Sequence, residues 1–156
     1  MTPGRVVTVD PACAADRVVA DVVVRRPTTL DAATSVRAAR TQLEDEHVHM
    51  VLLTRNGVLL GTLVRADLAT ADDAAPALAH AVLAGRTIAP TVTAEEALRE
   101  LVARDERRRA VVTEDGRLVG LLCLKRRRTG FCRDRDVAAR RAGLDALATA
   151  FGGFLP

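Results

Sequence analysis

Residues 50–64 read Met50-Val-Leu-Leu-Thr-Arg-Asn-Gly-Val-Leu-Leu-Gly-Thr-Leu-Val64, and residues 109–123 read Arg109-Ala-Val-Val-Thr-Glu-Asp-Gly-Arg-Leu-Val-Gly-Leu-Leu-Cys123. The two stretches align without gaps at an offset of 59, which sets Thr54 on Thr113, Gly57 on Gly116, Leu59 on Leu118 and Gly61 on Gly120. Each is an apolar run, a turn signal and a second apolar run. Asn56-Gly57 and Asp115-Gly116 are pairs favoured in type I′ turns, whose two central residues both need positive φ. Val- and Leu-rich flanks fit strands buried on both faces. Hairpins are therefore expected at Met50–Arg55 with Val58–Val64, and at Ala110–Glu114 with Arg117–Leu124.

The duplication extends upstream with a one-residue shift. Thr29-Leu30 matches Thr87-Ile88 as a short strand. Apolar residues then recur at spacings of three and four: Val36, Ala39 and Leu43 between about Ser35 and Asp45, and Ala94, Ala97, Leu98, Leu101 and Val102 to about Arg104. Thr93 with Glu96 fits a capping box at the second helix. Ala66–Thr70 reads as a short helix, Asp16–Val23 and Ala77–Ala84 as lead-ins. The expected class is α/β (α+β): two β-α-β-β-α repeats packed sheet to sheet about a pseudo-twofold axis. A single copy is too small to bury its own sheet. Expected boundaries are an irregular segment 1–15, repeat 1 at 16–70, a linker at 71–76, repeat 2 at 77–127, and a basic, partly helical extension 128–156.

The chain has 156 residues, 49% of them hydrophobic and 28% charged, with mean hydropathy +0.11. That composition folds rather than staying disordered. Three Phe are the only aromatics, so the core is built from Val, Leu and Ala, and base stacking on aromatic platforms is not expected. Net charge is +3, divided as +5 over residues 125–156 and −2 over residues 1–124. Cys13, Cys123 and Cys132 form no CxxC pair. No apolar run approaches the roughly 20 residues of a membrane span, and no basic n-region precedes an apolar stretch. A cytoplasmic protein with reduced thiols is expected.

With the two strand–helix–hairpin copies, the chain resembles a tandem pair of CBS domains, or Bateman module, over roughly residues 16–127. In the first copy Gly61-Thr62-Leu63-Val64-Arg65-Ala66-Asp67-Leu68 is similar to the family's Gly-x-x-[Thr/Ser]-x-x-Asp element. The resemblance implies a regulatory, non-catalytic module. It would bind an adenosyl ligand (AMP, ADP, ATP or S-adenosylmethionine) between the copies, form a homodimer, and signal by a conformational or oligomeric change to a protein partner not yet defined. It implies no other cofactor. Asp67 matches the residue that holds the ribose hydroxyls. Its counterpart is Arg126, which cannot accept a hydrogen bond. The Thr/Ser position holds Val64 in one copy and Cys123 in the other.

The ligand-binding set expected on this basis is Thr29, Leu30, Val51, Val64, Arg65 and Asp67 in repeat 1, with Thr87, Ile88, Cys123, Lys125 and Arg126 in repeat 2. Leu30 and Val51 are expected as apolar walls; Arg65 and Arg126 are expected to meet phosphate. The alternative is a dimerising or partner-docking scaffold whose pockets have decayed. The run Lys125-Arg126-Arg127-Arg128 reads as a solvated surface turn, a ligand-phosphate contact, a nucleic-acid contact or an inter-subunit salt bridge, and Arg107-Arg108-Arg109 reads as solvated surface. Nucleic acid and membrane partners are not expected. His47 and His49 alternate before a strand, but no cluster completes a metal site. No nucleophile elbow, P-loop or His-Glu-x-x-His motif is present.

Overall fold

The computed structural model describes residues 17–125 and 130–132. Two three-stranded sheets carry the fold. Strands β1 (Thr29–Asp31), β2 (Val51–Arg55) and β3 (Val58–Leu63) form one; β4 (Thr87–Ile88), β5 (Arg108–Val112) and β6 (Leu118–Cys123) form the other. In each sheet the short first strand runs parallel to the second, and the second and third form the expected hairpin. Helices α1 (Val36–Leu43) and α2 (Ala94–Ala103) bridge the parallel pairs.

Both helices start where a hydroxyl satisfies a free N–H. Ser35 Oγ accepts from Ala38 N at 3.1 Å, and Thr93 Oγ1 accepts from Glu96 N at 3.1 Å. Of the expected capping box, this hydroxyl half is the one observed. The lead-ins are single 3₁₀ turns, Val19–Asp21 and Ala77–His80, rather than longer helices, and the helix expected near Ala66 is a 3₁₀ turn at Arg65–Leu68. Segment 71–76 packs on α1: Val36 N donates to Ala75 O and Arg37 N to Asp73 O, while Arg40 reaches Ala71 O and the Asp73 carboxylate.

The two turns differ, which corrects the ungapped alignment. Asn56 and Gly57 have φ of 52° and 78°, as a two-residue type I′ turn requires. In the second hairpin Gly116 has φ 85°, but Asp115 is not in the left-handed region. There Gly116 N donates to Thr113 O, and Thr113 N to Arg117 O. This is a three-residue loop, the type I turn plus left-handed Gly arrangement. The Thr113 hydroxyl drives the choice, since it donates to the Asp115 carboxylate and accepts from Arg117 N. The extra residue makes the true offset 58 on strands entering the turn and 59 on strands leaving it. Arg55, not Thr54, therefore corresponds to Thr113.

With that register the twofold relation is explicit in the pairing. Val18 bridges Thr93 as Pro76 bridges Ser35, and Val24 bridges Leu121 as Val82 bridges Thr62. At the axis Val58 bridges Arg117: Leu59 N donates to Gly116 O at 3.0 Å, and Leu118 N to Gly57 O at 2.9 Å. Each lead-in thus packs on the other copy's sheet. Val19, Val22 and Val23 join the core under α2, and Ala77 joins the core under α1.

Alternation along the strands divides each sheet between two cores. Val51 and Leu53 face α1 with Val36, Ala39 and Leu63. Leu52 and Leu59 face the seam between copies, with Met50 and Ala110. Residues on both faces are buried, which is why the runs are continuously apolar. Among the described residues no helix is long and apolar enough to cross a membrane.

Candidate ligand clefts

Two symmetry-related clefts flank the seam. The first is lined by Val64, Val82, Gly85, Arg86, Arg107 and Arg108, with His49, Met50 and Glu106 also on its walls. The second is lined by Cys123, Val24, Thr28, His49, Met50 and Arg108, among others. Under the twofold, Val82 replaces Val24, Arg86 replaces Thr28, Arg107 replaces His49, and Val64 replaces Cys123. The first cleft has a volume of about 490 Å³ and the second about 120 Å³. Only the first falls in the range of small-molecule sites, roughly 300–1,000 Å³.

Asp67 stands beside the first cleft in a 3₁₀ turn that its own carboxylate caps: Oδ2 accepts from Val64 N at 2.8 Å. The same carboxylate is gripped by Arg86, with Nη1 at 2.5 Å from Oδ2 and Nη2 at 2.9 Å from Oδ1. Burial alone would raise the Asp67 pKa. The Arg86 and Val64 hydrogen bonds and the Arg86 charge outweigh it and hold the carboxyl below the usual carboxylate range. Thr62 lies behind the pair, its hydroxyl donating to Val82 O at 2.6 Å.

The opposite wall is cationic. Arg107 donates to Leu124 O at 3.1 Å, while its Nε is buried with no hydrogen-bond partner among the described residues. Arg108 is pushed below the usual guanidinium range, chiefly by burial, but remains a cation. Arg109 occupies the position of Val51. It turns away from the clefts to Glu106 and Glu100, each at 3.0 Å. The triple-arginine run is therefore not a solvated turn. His49, at the rim of both clefts, is held below its ordinary pKa by partial burial and by the charges of Arg108, Arg65, Arg107 and His47.

The His49 shift predicts a pH dependence. The unfolded chain, with a normal imidazole near 6.5, takes up the proton before the folded one does. Stability therefore falls as pH drops through and below that value. Melting temperatures measured between about pH 7.5 and 5.5 should fall less for His49→Gln than for the natural sequence. An equal or steeper fall in the variant contradicts the assignment.

The other expected residues divide sharply. Val64 and Cys123 line clefts at equivalent positions. Val51 is fully buried in the core under α1, Leu30 packs against that core, and Ile88 lies in the core under α2, so none forms a cleft wall. Their alternation places them on the helix side of each sheet. Arg65 turns from the cleft to the C-terminal end of α1, where it donates to Leu43 O and to Asp45 O. Thr29 and Thr87 line neither cleft. The Lys125 backbone N donates to Gly130 O at 2.8 Å, continuing β6. Arg126, with the residues 127–129, 1–16 and 133–156, lies outside the described residues. Among the described residues no cluster of three or more His, Cys, Asp or Glu could hold a metal.

Cys123 and Cys132 are buried, and a hydrogen bond with Cys132 together with burial raises the Cys123 thiol and keeps it protonated. Arg86 and the cleft roles of Arg107 and Arg108 were not evident from the sequence. The signal available was the 58-residue offset, which puts Arg86 on Thr28 and Arg108 on Met50.

The fold and the paired clefts can be compared with known proteins. The CBS-domain family profile matches residues 19–74 and 84–126. No curated protein matches the sequence. Among solved structures, the acetoin utilization protein AcuB from Vibrio cholerae, itself described as putative, superposes with TM-score 0.61 at 21% identity, over 85% of this chain and 96% of that one. A CBS-domain protein from Pyrobaculum aerophilum complexed with AMP gives 0.57 at 24% identity, over 85% and 98%. The cytosolic domain of the Mg²⁺ channel MgtE, in complex with ATP, gives 0.56 at 21% identity; this chain covers only 44% of it. Two profile matches, two twofold-related sheets with exchanged lead-ins, and a cleft on either side of the seam lead to one conclusion: the chain belongs to the CBS-domain family, as a tandem pair.

Proposed function

We propose that the chain is a regulatory, non-catalytic module that binds an adenine nucleotide in the first cleft. The observation that carries this reading is the composition of that cleft. Arg86, Arg107 and Arg108 line it and supply positive charge, and the Asp67 carboxylate stands behind Arg86 at its edge. A nucleotide carries both complements, hydroxyl donors for the acid and phosphate acceptors for the guanidinium groups. S-adenosylmethionine, with its sulfonium and ammonium charges, fits the cationic walls less well. The relatives complexed with AMP and ATP support a nucleotide as the ligand class. Binding across the seam would favour one packing of the copies, or of two chains in a homodimer, and a partner protein in the cytoplasm would read the change.

A thermal-shift panel tests this. AMP, ADP or ATP at millimolar concentration should raise the melting temperature, because a ligand of the folded state alone must do so. Asp67→Ala should abolish the shift, and S-adenosylmethionine should give a smaller one. No shift with any nucleotide contradicts the reading. It would favour the second one, a docking scaffold without ligand, for which the hydroxyl-free Val64 and Cys123 and the Asp67 carboxylate already paired with Arg86 speak.

A further inference from the structure

We propose that Arg86 makes the first cleft selective for phosphorylated adenosyl ligands over neutral nucleosides, by forcing an exchange of partners at Asp67. This rests on the reading above that Asp67 receives a ribose diol. Both Asp67 oxygens are already engaged by Arg86, and Oδ2 also by Val64 N. The side chains of Asp67 and Arg86 are 13% and 23% exposed, so water screens the pair only in part. Val64 and Arg86 line the cleft whereas Asp67 does not, so the guanidinium covers the acid. A diol entering from the cleft meets Arg86 before it meets Asp67, so Arg86 must turn away to admit it.

Once displaced, the guanidinium needs another acceptor. Losing a charge-assisted, two-point contact in a half-buried site without replacement is costly. The cleft wall offers Glu106, but its carboxylate is held by Arg109 at 3.0 Å. A neutral nucleoside brings no anion. A nucleotide brings one, and a phosphoryl group can take two parallel bonds from Arg86 as Asp67 did. The exchange then conserves charge pairing: Asp67 moves from guanidinium to diol, and Arg86 from carboxylate to phosphate. Arg86 is a closed latch toward adenosine and a phosphate contact toward AMP.

Calorimetric titration of the purified chain with adenosine and with AMP tests this. The natural sequence should prefer AMP by about tenfold or more. In Arg86→Gln adenosine should bind more tightly and AMP more weakly, so that the ratio falls below about threefold. Arg86→Lys keeps a cation but not the fork, and guards against misfolding of the first variant; its ratio should fall at least about threefold. Circular dichroism melts establish that each variant is folded. A natural chain that binds both ligands equally, or a ratio unmoved by both substitutions, overturns the role of Arg86 and leaves nucleotide binding standing. If no variant and no form of the protein binds either ligand, both proposals fall together. Adenosine binding that emerges only in Arg86→Gln supports the latch.

Discussion

Gly120→Ala should destabilise the protein by about 3 kcal/mol and lower the melting temperature by about 10 °C or more. A Cβ at this position would lie 2.6 Å from the Val24 carbonyl oxygen and about 3 Å from the Val23 side chain. The obstacle is backbone, held by reciprocal bonds in which Val24 N donates to Leu121 O and Leu121 N to Val24 O, each at 2.9 Å. Trimming Val23 to alanine should therefore not rescue the variant. The twofold mate, Gly61, meets the other lead-in, where an added Cβ would lie 2.5 Å from Ala81 Cβ. Here the obstacle is a side chain, so Ala81→Gly should recover most of the stability lost in Gly61→Ala. Chemical denaturation of the four variants measures this. A Gly120→Ala protein as stable as the natural one would mean that the first lead-in does not cross to the second sheet.

Leu52→Ala should cost about 3 kcal/mol, the size of a well-packed buried leucine. Leu52 is fully buried on the seam face of its sheet, with Leu59 and Ala110 around it. Because each copy's core contains the other's lead-in, the loss should not be local. Calorimetry should show one transition, shifted to lower temperature. Two separated transitions would show that the copies fold independently and that the seam is a weak contact.

These two sites also show what the sequence made legible. The hairpin pair was readable because Asn-Gly and Asp-Gly are local signals between Val/Leu runs. The duplication was readable because those signals recur at nearly fixed spacing. The one-residue difference between the turns was not, since it depends on the Thr113 hydroxyl reaching Asp115 and Arg117. Gly61 and Gly120 were visible as a matched pair, but the reason for them lies in lead-ins that cross to the opposite copy. Local periodicity cannot say which sheet such a short segment will cover.

The candidate site was legible to the same degree and for the same cause. Asp67 stood out because it sits in a contiguous element with Gly61. Its partner lies 19 residues on, in another repeat. Leu30 and Val51 look in the sequence like any apolar residues beside a site, whereas strand alternation sends them to the helix side. Arg65 is drawn to the Leu43 and Asp45 carbonyls at the end of α1, a tertiary demand that the motif does not express.

A crystal structure of the chain in complex with AMP tests the central claim most directly. The account predicts the nucleotide in the first cleft, its ribose hydroxyls on Asp67 and its phosphate on Arg86, with Arg107 and Arg108 opposite. A nucleotide found only in the second cleft, with the Asp67–Arg86 pair unbroken, would contradict it.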